Sequence, residues 1–194
     1  RVIANSQRLA GMVDDMVRLA ALDAGRVRLN FDPVDVVKVV EDTIIEVSVA
    51  LREKGIEVDL NVDEPVPTIL GDAEAIRQIL GQVLTNAYLA SPSDSAIQVS
   101  ISARQHRPAD APDTVTVAAL ISVRDMGAGV SPDSEDQVFS RRYLSENPLI
   151  AGLGDTGVAM AVAKALTEAH HGTMWIEMAE GGGTVVNVLL PRNE

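Results

Sequence analysis

Asp125, Gly127 and Gly129 stand in a D-x-G-x-G spacing at the end of an apolar run from Val115 to Val123. A carboxylate closing a buried strand, followed by residues that lack Cβ atoms, offers one anionic acceptor beside bare backbone. A flat heterocycle with a polar edge is the ligand that suits it. Taken alone, such a spacing is most often an ordinary strand-to-loop turn. Its company shifts the weighting: Asn86 lies upstream on a helical pattern, and a glycine-rich run from Gly152 to Gly157 immediately precedes another helix.

These residues must be held by a frame, and composition bounds it. The 194 residues allow one domain, or one domain with an appendage. Apolar residues form 46% of the chain but aromatic ones only 3%, so the expected core is Val, Leu, Ile and Ala. A net charge of −12 without a basic stripe argues against nucleic acid as a partner. With no cysteine, disulfides, thiolate chemistry and Cys-based metal sites are excluded. No apolar run approaches a membrane span and no signal peptide is visible. The first residue is Arg, and the chain is expected to be a piece of a longer protein.

Residues 1 to 24 read as one helix. Val2, Leu9, Met16 and Asp23 fall seven apart, Asn5, Met12 and Leu19 lie between them, and Val13 and Ala20 broaden the stripe. Its place at the end of the chain favours a partner helix. Val27 to Phe31 reads as a short strand. Asp32-Pro33 and Asp35 then announce a helix with Val36, Val37, Val40, Ile44, Val47 and Leu51 inward, ended by Gly55. Ile56, Val58, Leu60 and Val62 alternate as a half-buried strand. After Pro65 and Pro67, Asp72 caps a helix facing inward with Ile76, Ile79, Leu80, Val83, Leu84 and Ala87. Strands follow at Ile97 to Ile101 and in the Val115 run, joined by a polar hairpin loop over residues 104–113. Ser140 to Thr156 lacks periodicity, and a stretch that long is expected to be a lid or disordered. A helix from Gly157 to Ala169 and a hairpin of strands at Thr173 to Met178 and Val185 to Leu190, turning at Glu180 to Gly183, complete the chain. The pattern predicts an α+β, two-layer sandwich: a mixed sheet with helices on one face, preceded by one N-terminal helix.

In order and spacing these pieces resemble the second half of a sensor histidine kinase: the second helix of the dimerisation hairpin, then the catalytic ATP-binding domain of the Bergerat fold shared with gyrase, Hsp90 and MutL. The resemblance runs nearly end to end. It rests on Arg8-Leu9 through Ala24-Gly25, Pro33-Val34-Asp35, Lys54-Gly55-Ile56, Gly71-Asp72 through Asn86-Ala87, Asp125-x-Gly127-x-Gly129, Phe139, the Gly152 to Gly157 run, and Glu168-Ala169-His170-His171-Gly172. It implies a partial dimerisation helix over residues 1–25 and the ATP-binding domain over 26–194.

The resemblance also implies roles. Asn86 supplies its amide oxygen to Mg²⁺ on the ATP phosphates, a hard-cation contact. Asp125 accepts from the adenine amino group, and Gly127 and Gly129 let the base lie against backbone. Gly154, Thr156 and Gly157 bring backbone N–H groups to the phosphates. Four positions depart from the family. Gln82 replaces an asparagine one turn before Asn86 and, unlike the glutamate of hydrolytic relatives, is no general base. Leu89 stands where a basic residue touches phosphate, Leu144 stands where an arginine follows Tyr143, with Arg141 and Arg142 as its available substitutes, and Ala159 replaces a glycine.

Implied partners are an upstream phosphoacceptor helix, a response regulator and a second copy joined through the N-terminal helix, in a cytoplasmic setting without membrane contact by this fragment. None of His106, His170 and His171 sits beside an acid on a heptad helix, so the phosphoacceptor is not among them. His170 and His171 read as structural residues closing a helix, and Trp175 as packing. The leading expectation is a histidine kinase catalytic domain using ATP and Mg²⁺. A degenerate nucleotide-sensing module is the alternative that Leu89, Leu144 and Ala159 favour. An anti-sigma-factor-like serine kinase shares the pocket but leaves the heptad stripe unexplained.

Overall fold

The structure, a computed structural model, describes residues 16–17, 19–21, 26–107, 115–129 and 158–192. The N-terminal heptad helix is therefore seen only at Met16, Val17 and residues 19–21, which are helical. The stretches around Phe139, Arg141, Arg142, Leu144 and the Gly152 to Gly157 run lie outside the described residues.

Among the described residues these elements follow in order: β1 (Asp32–Val34), α1 (Val36–Glu53), β2 (Glu57–Asp63), β3 (Ile69–Gly71), α2 (Ala73–Ala90), β4 (Ala96–His106), β5 (Thr116–Arg124), α3 (Val158–Ala169), β6 (Thr173–Met178) and β7 (Thr184–Pro191). Five strands form one mixed sheet in the order β2-β4-β5-β7-β6, with β2 parallel to β4 and every other pair antiparallel. Period-two alternation gives the sheet one covered face. Ile97, Val99 and Ile101 are buried while Gln98 and Ser100 between them are exposed. Along β7, Val186, Val188 and Leu190 join the same core. This is the α+β arrangement of a mixed sheet with helices on one face that the pattern implied.

Helix α2 is the spine of the helical layer and touches both α1 and α3. Asp72 caps its start by accepting the N–H groups of Glu74 and Ala75. Its inward stripe is the expected one: Ile76, Ile79, Leu80, Val83, Leu84 and Ala87 are all buried. At α1 the cap is Asp35, which accepts from Lys38. There the buried residues are Val36, Val39, Val40, Thr43 and Leu51, while Val37, Ile44 and Val47 are only half-buried. The stripe is rotated because Thr43 bonds its hydroxyl back to the Val39 carbonyl at 2.7 Å, which lets a polar residue enter the core.

Two expectations need correction. Val27 to Phe31 is not a strand. The strand is Asp32–Val34, and it pairs antiparallel with Ile69–Gly71, a strand the proline-rich stretch concealed. The β4–β5 hairpin is also longer than expected, because Arg104, Gln105 and His106 still pair with Ala118, Val117 and Thr116. Polar side chains there sit on an open edge of the ladder, where alternation no longer reports burial.

Candidate functional site

Strand β5 delivers Asp125 to the end of the sheet, beside the last turn of α2. The Asp125 residue is only 1% exposed. Its Oδ1 accepts the Gly127 N–H at 2.8 Å and the Thr184 N–H at 3.2 Å, and its own N–H donates to the Thr184 carbonyl at 2.9 Å. Burial pushes the Asp125 carboxyl up from its ordinary value, and the donors from Gly127 and Thr184, with nearby Arg124, only partly pull it back. A buried acceptor whose charge is incompletely compensated is suited to a ligand that brings a donor.

The turn after Asp125 has no room for side chains. A Cβ on Gly127 would lie 2.8 Å from the Ala90 carbonyl oxygen and 2.9 Å from Asp125 Oδ1. Gly129 has a φ of +80°, with the Gly183 carbonyl 3.2 Å from where its Cβ would stand. Gly183 has a φ of +85°, and any Cβ there would run into the Asp125 carbonyl. The β6–β7 turn is thus wedged under the D-x-G-x-G turn. Arg124 fastens the two together by donating to the Glu180 carbonyl at 2.8 Å. On the other side the Met126 N–H donates to the buried Ser91 hydroxyl at 3.3 Å, which ties the turn to the C-terminal end of α2.

Asn86 lies one helical turn before Ala90, on the half-buried stripe of α2 that also carries Gln82 and Leu89. The structure therefore brings Asp125, Gly127 and Gly129 into one turn against the end of the helix that bears Asn86 and Gln82. Ala159 is buried at the second position of α3. Gly154, Thr156, Gly157, Arg141 and Arg142 lie outside the described residues. Among the described residues no group of three or more His, Cys, Asp or Glu side chains could hold a metal ion by itself.

Ser91, Gly183 and Thr184 belong to this site, and reading the sequence alone did not mark them as such. Ser91 reads as a helix stop and the glycines as a hairpin turn, so each has a sufficient local explanation. The one available signal was the run of three glycines before Thr184, longer than a two-residue hairpin turn requires.

Comparison with known proteins agrees with this geometry. The protein-family model described as histidine kinase-, DNA gyrase B-, and HSP90-like ATPase matches residues 71–194. The sensor histidine kinase WalK of Bacillus subtilis is 26% identical over 189 residues, covering 97% of this chain and 29% of WalK, so the chain spans under a third of that relative. Full-length ShkA, solved in complex with AMPPNP, superposes with a TM-score of 0.78 at 24% identity, covering 96% of this chain and 36% of ShkA. Histidine kinase ThkA, solved with the response regulator protein TrrA, gives a TM-score of 0.74 at 18% identity over 99% of this chain and 50% of ThkA.

Proposed function

The chain belongs to the histidine kinase-, DNA gyrase B-, and HSP90-like ATPase family, and from that premise we propose that it is the ATP-binding catalytic part of a two-component sensor histidine kinase. One observation carries the reading: Asp125, 1% exposed and with its carboxyl raised by burial, sits at a turn whose glycines leave backbone bare beside the helix bearing Asn86. Asp125 would accept from the amino edge of adenine. Gly127, where a Cβ would lie 2.9 Å from Asp125 Oδ1, keeps that carboxyl clear of a neighbouring side chain.

Any Mg²⁺ would enter on the phosphates and take the Asn86 amide oxygen as its protein ligand, which suits a hard cation that keeps much of its own shell. Bound ATP supplies the phosphoryl group. The chain's own work is to hold the base, orient the phosphates through Asn86 and the expected Gly154, Thr156 and Gly157, and leave hydrolysis unassisted, since Gln82 cannot take a proton from water. Arg141 and Arg142 are the cations we assign to the phosphates in place of the arginine absent at Leu144, and the charge missing at Leu89 stays unanswered.

Residues 1–25 would be the second helix of a dimerisation hairpin and residues 26–194 the catalytic domain. Met16, on the heptad stripe, is 55% exposed, and neighbouring Val17 is 64% exposed, as suits a helix awaiting a partner. The acceptor histidine would lie on the preceding helix and the response regulator would receive the phosphoryl group. Among the described residues no helix is long and apolar enough to cross a membrane. The nucleotide-sensing alternative is not favoured, because relatives matched over nearly the whole chain include sensor histidine kinases.

Titration calorimetry tests the pocket: ADP or AMPPNP with Mg²⁺ should bind, and no heat at millimolar nucleotide would refute it. Joined to its upstream helix, the chain should label that helix from radiolabelled ATP. A Leu89→Lys, Ala159→Gly variant should do so faster, because phosphate charge is then answered. Binding without any labelling would favour the sensor reading.

A further inference from the structure

Three chain segments meet at one imidazole, at the far end of α2 from Asp125. His170 is 1% exposed. Its Nδ1 lies 2.7 Å from the Leu166 carbonyl oxygen, and the Asp72 backbone N–H meets its Nε2 at 3.0 Å. A carbonyl only accepts and an N–H only donates, so Nδ1 carries the proton and Nε2 the lone pair. Asp72 in turn opens α2: its Oδ1 accepts from Glu74 and Ala75, and its Oδ2 accepts the Asn30 N–H at 3.0 Å. The Phe31 ring stands 5.4 Å from the imidazole, tilted by 50°. Gly71 keeps the approach open, since a Cβ there would lie 3.1 Å from the imidazole Cδ2. An apolar side chain would fill the same volume. The imidazole adds a donor and an acceptor in fixed directions, and the acceptor is spent on Asp72.

We propose that His170 is a positioning residue that couples the nucleotide site to the segment by which the chain enters the domain. The inference rests on the nucleotide-binding reading of Asp125 and Asn86. Helix α2 carries Asn86, and α3 follows Gly157 directly in sequence. Through the Asp72 N–H the end of α3 is pinned to the start of α2, and through the Asp72 carboxylate and the Phe31 ring both are pinned to Asn30 and Phe31. A ligand that steadies the spacing of α2 and α3 steadies the Asn30 amide. By reciprocity, loosening the Asn30 end weakens the ligand by the same factor.

Amide exchange with and without ADP and Mg²⁺, in the wild type and two variants, tests this. His170→Gln places an amide oxygen where Nε2 stands and keeps an acceptor for Asp72. His170→Asn reaches only the Nδ1 position and keeps the Leu166 bond alone. In the wild type, ADP should slow exchange at Asn30 and Asp72 by about fivefold or more, in the range of ordinary coupling. His170→Gln should retain that response. His170→Asn should lose it and bind ADP about fivefold more weakly, although both variants lose some stability. If the wild type binds ADP with Asn30 exchange unchanged, or the two variants behave alike, the coupling is refuted while the nucleotide site stands. If His170→Asn does not fold, Phe31→Ala decides, since that side chain is 43% exposed: about twofold weaker ADP binding supports the coupling, and unchanged affinity overturns it. A wild type that binds no ADP overturns the functional reading and the coupling with it.

Discussion

Beside each end of α2 lies an aspartate bonded to backbone N–H groups, and their surroundings act on them in opposite ways. At the start, burial raises the Asp72 carboxyl, but the N–H groups of Asn30, Ala75 and Glu74 outweigh it and hold the group below its ordinary value. At the far end, Asp125 also takes two backbone N–H bonds, yet burial is the larger effect and its carboxyl is raised. Two or three donors therefore do not decide the sign; access to water does. Asp72 is half-exposed and its charge supports the fold, whereas Asp125 is buried and its surroundings disfavour the charge. That marks one end of the helix as a joint and the other as a site.

The largest expected effect probes how rigidly each end is built. Gly183→Ala puts a Cβ into the Asp125 carbonyl at a left-handed φ, where the obstacle is backbone. It should cost about 3 kcal/mol in urea unfolding and abolish nucleotide binding. Gly71→Ala, at the other end, meets Ile76 Cδ1 at 2.9 Å and the His170 ring at 3.1 Å, which are side chains. It should cost about 1–2 kcal/mol, as moderate overpacking does. Equal costs would mean that both ends are equally rigid and would erase the contrast.

Next in size is charge removal. Asp125→Asn keeps an oxygen for Gly127 and Thr184 but loses the charge a ligand donor would use, so nucleotide should bind about tenfold more weakly or worse. Unfolding stability at neutral pH should hold or rise, because a buried charge has been removed. Asp72→Ala should do the reverse in stability, losing about 1 kcal/mol with its helix cap. Calorimetry and urea unfolding on both variants read the crossover. A stability loss for Asp125→Asn as large as that for Asp72→Ala would contradict it.

Ser91→Ala tests how the site end is fastened to α2. Its hydroxyl answers the Met126 N–H, so removal should cost about 1 kcal/mol and speed amide exchange at Met126. Unchanged exchange there would show that packing alone holds the turn.

The smallest effect is in pH. Asp72 has a lowered value, so its contribution to stability is fully present above the ordinary 3.8 and is lost as pH falls through the lowered value. Asp125 has a raised value, so the fold favours its neutral form. That preference is fully present below 3.8 and is lost as pH rises through the raised value. On mild acidification, nucleotide affinity should therefore fall, while apo stability rises as the penalty on the buried Asp125 charge is relieved. Thermal unfolding and calorimetry from neutral pH down to about pH 4, near the ordinary carboxylate values, separate the two. Affinity and stability falling together would place both aspartates in one class.

Much of this was legible from local pattern. The stripe from Ile76 to Ala87, the Asp35 and Asp72 caps, the alternation of β2 and the D-x-G-x-G turn all follow from periods of 3.6 and 2 and from which residues tolerate bare backbone. Those signals are set by neighbours within a few positions, and the family resemblance was written in the same short motifs. The sequence by itself determined the α+β class, the inward face of α2 and the candidacy of Asn86, Asp125, Gly127 and Gly129. Tertiary structure alone decided the rest. Asp32–Val34 became a strand because Ile69–Gly71 came to meet it, 37 residues on from Asp32↔Gly71 to Val34↔Ile69 in the middle of the register. Thr184 became part of the site because the β5–β7 ladder ends beside Asp125, and His170 became a joint because Asp72 reaches it across 98 residues. Contacts at such separations leave no periodic trace. The direction in which Asp125 titrates is of the same kind, since burial is a property of everything packed around a side chain and of none of its neighbours in sequence.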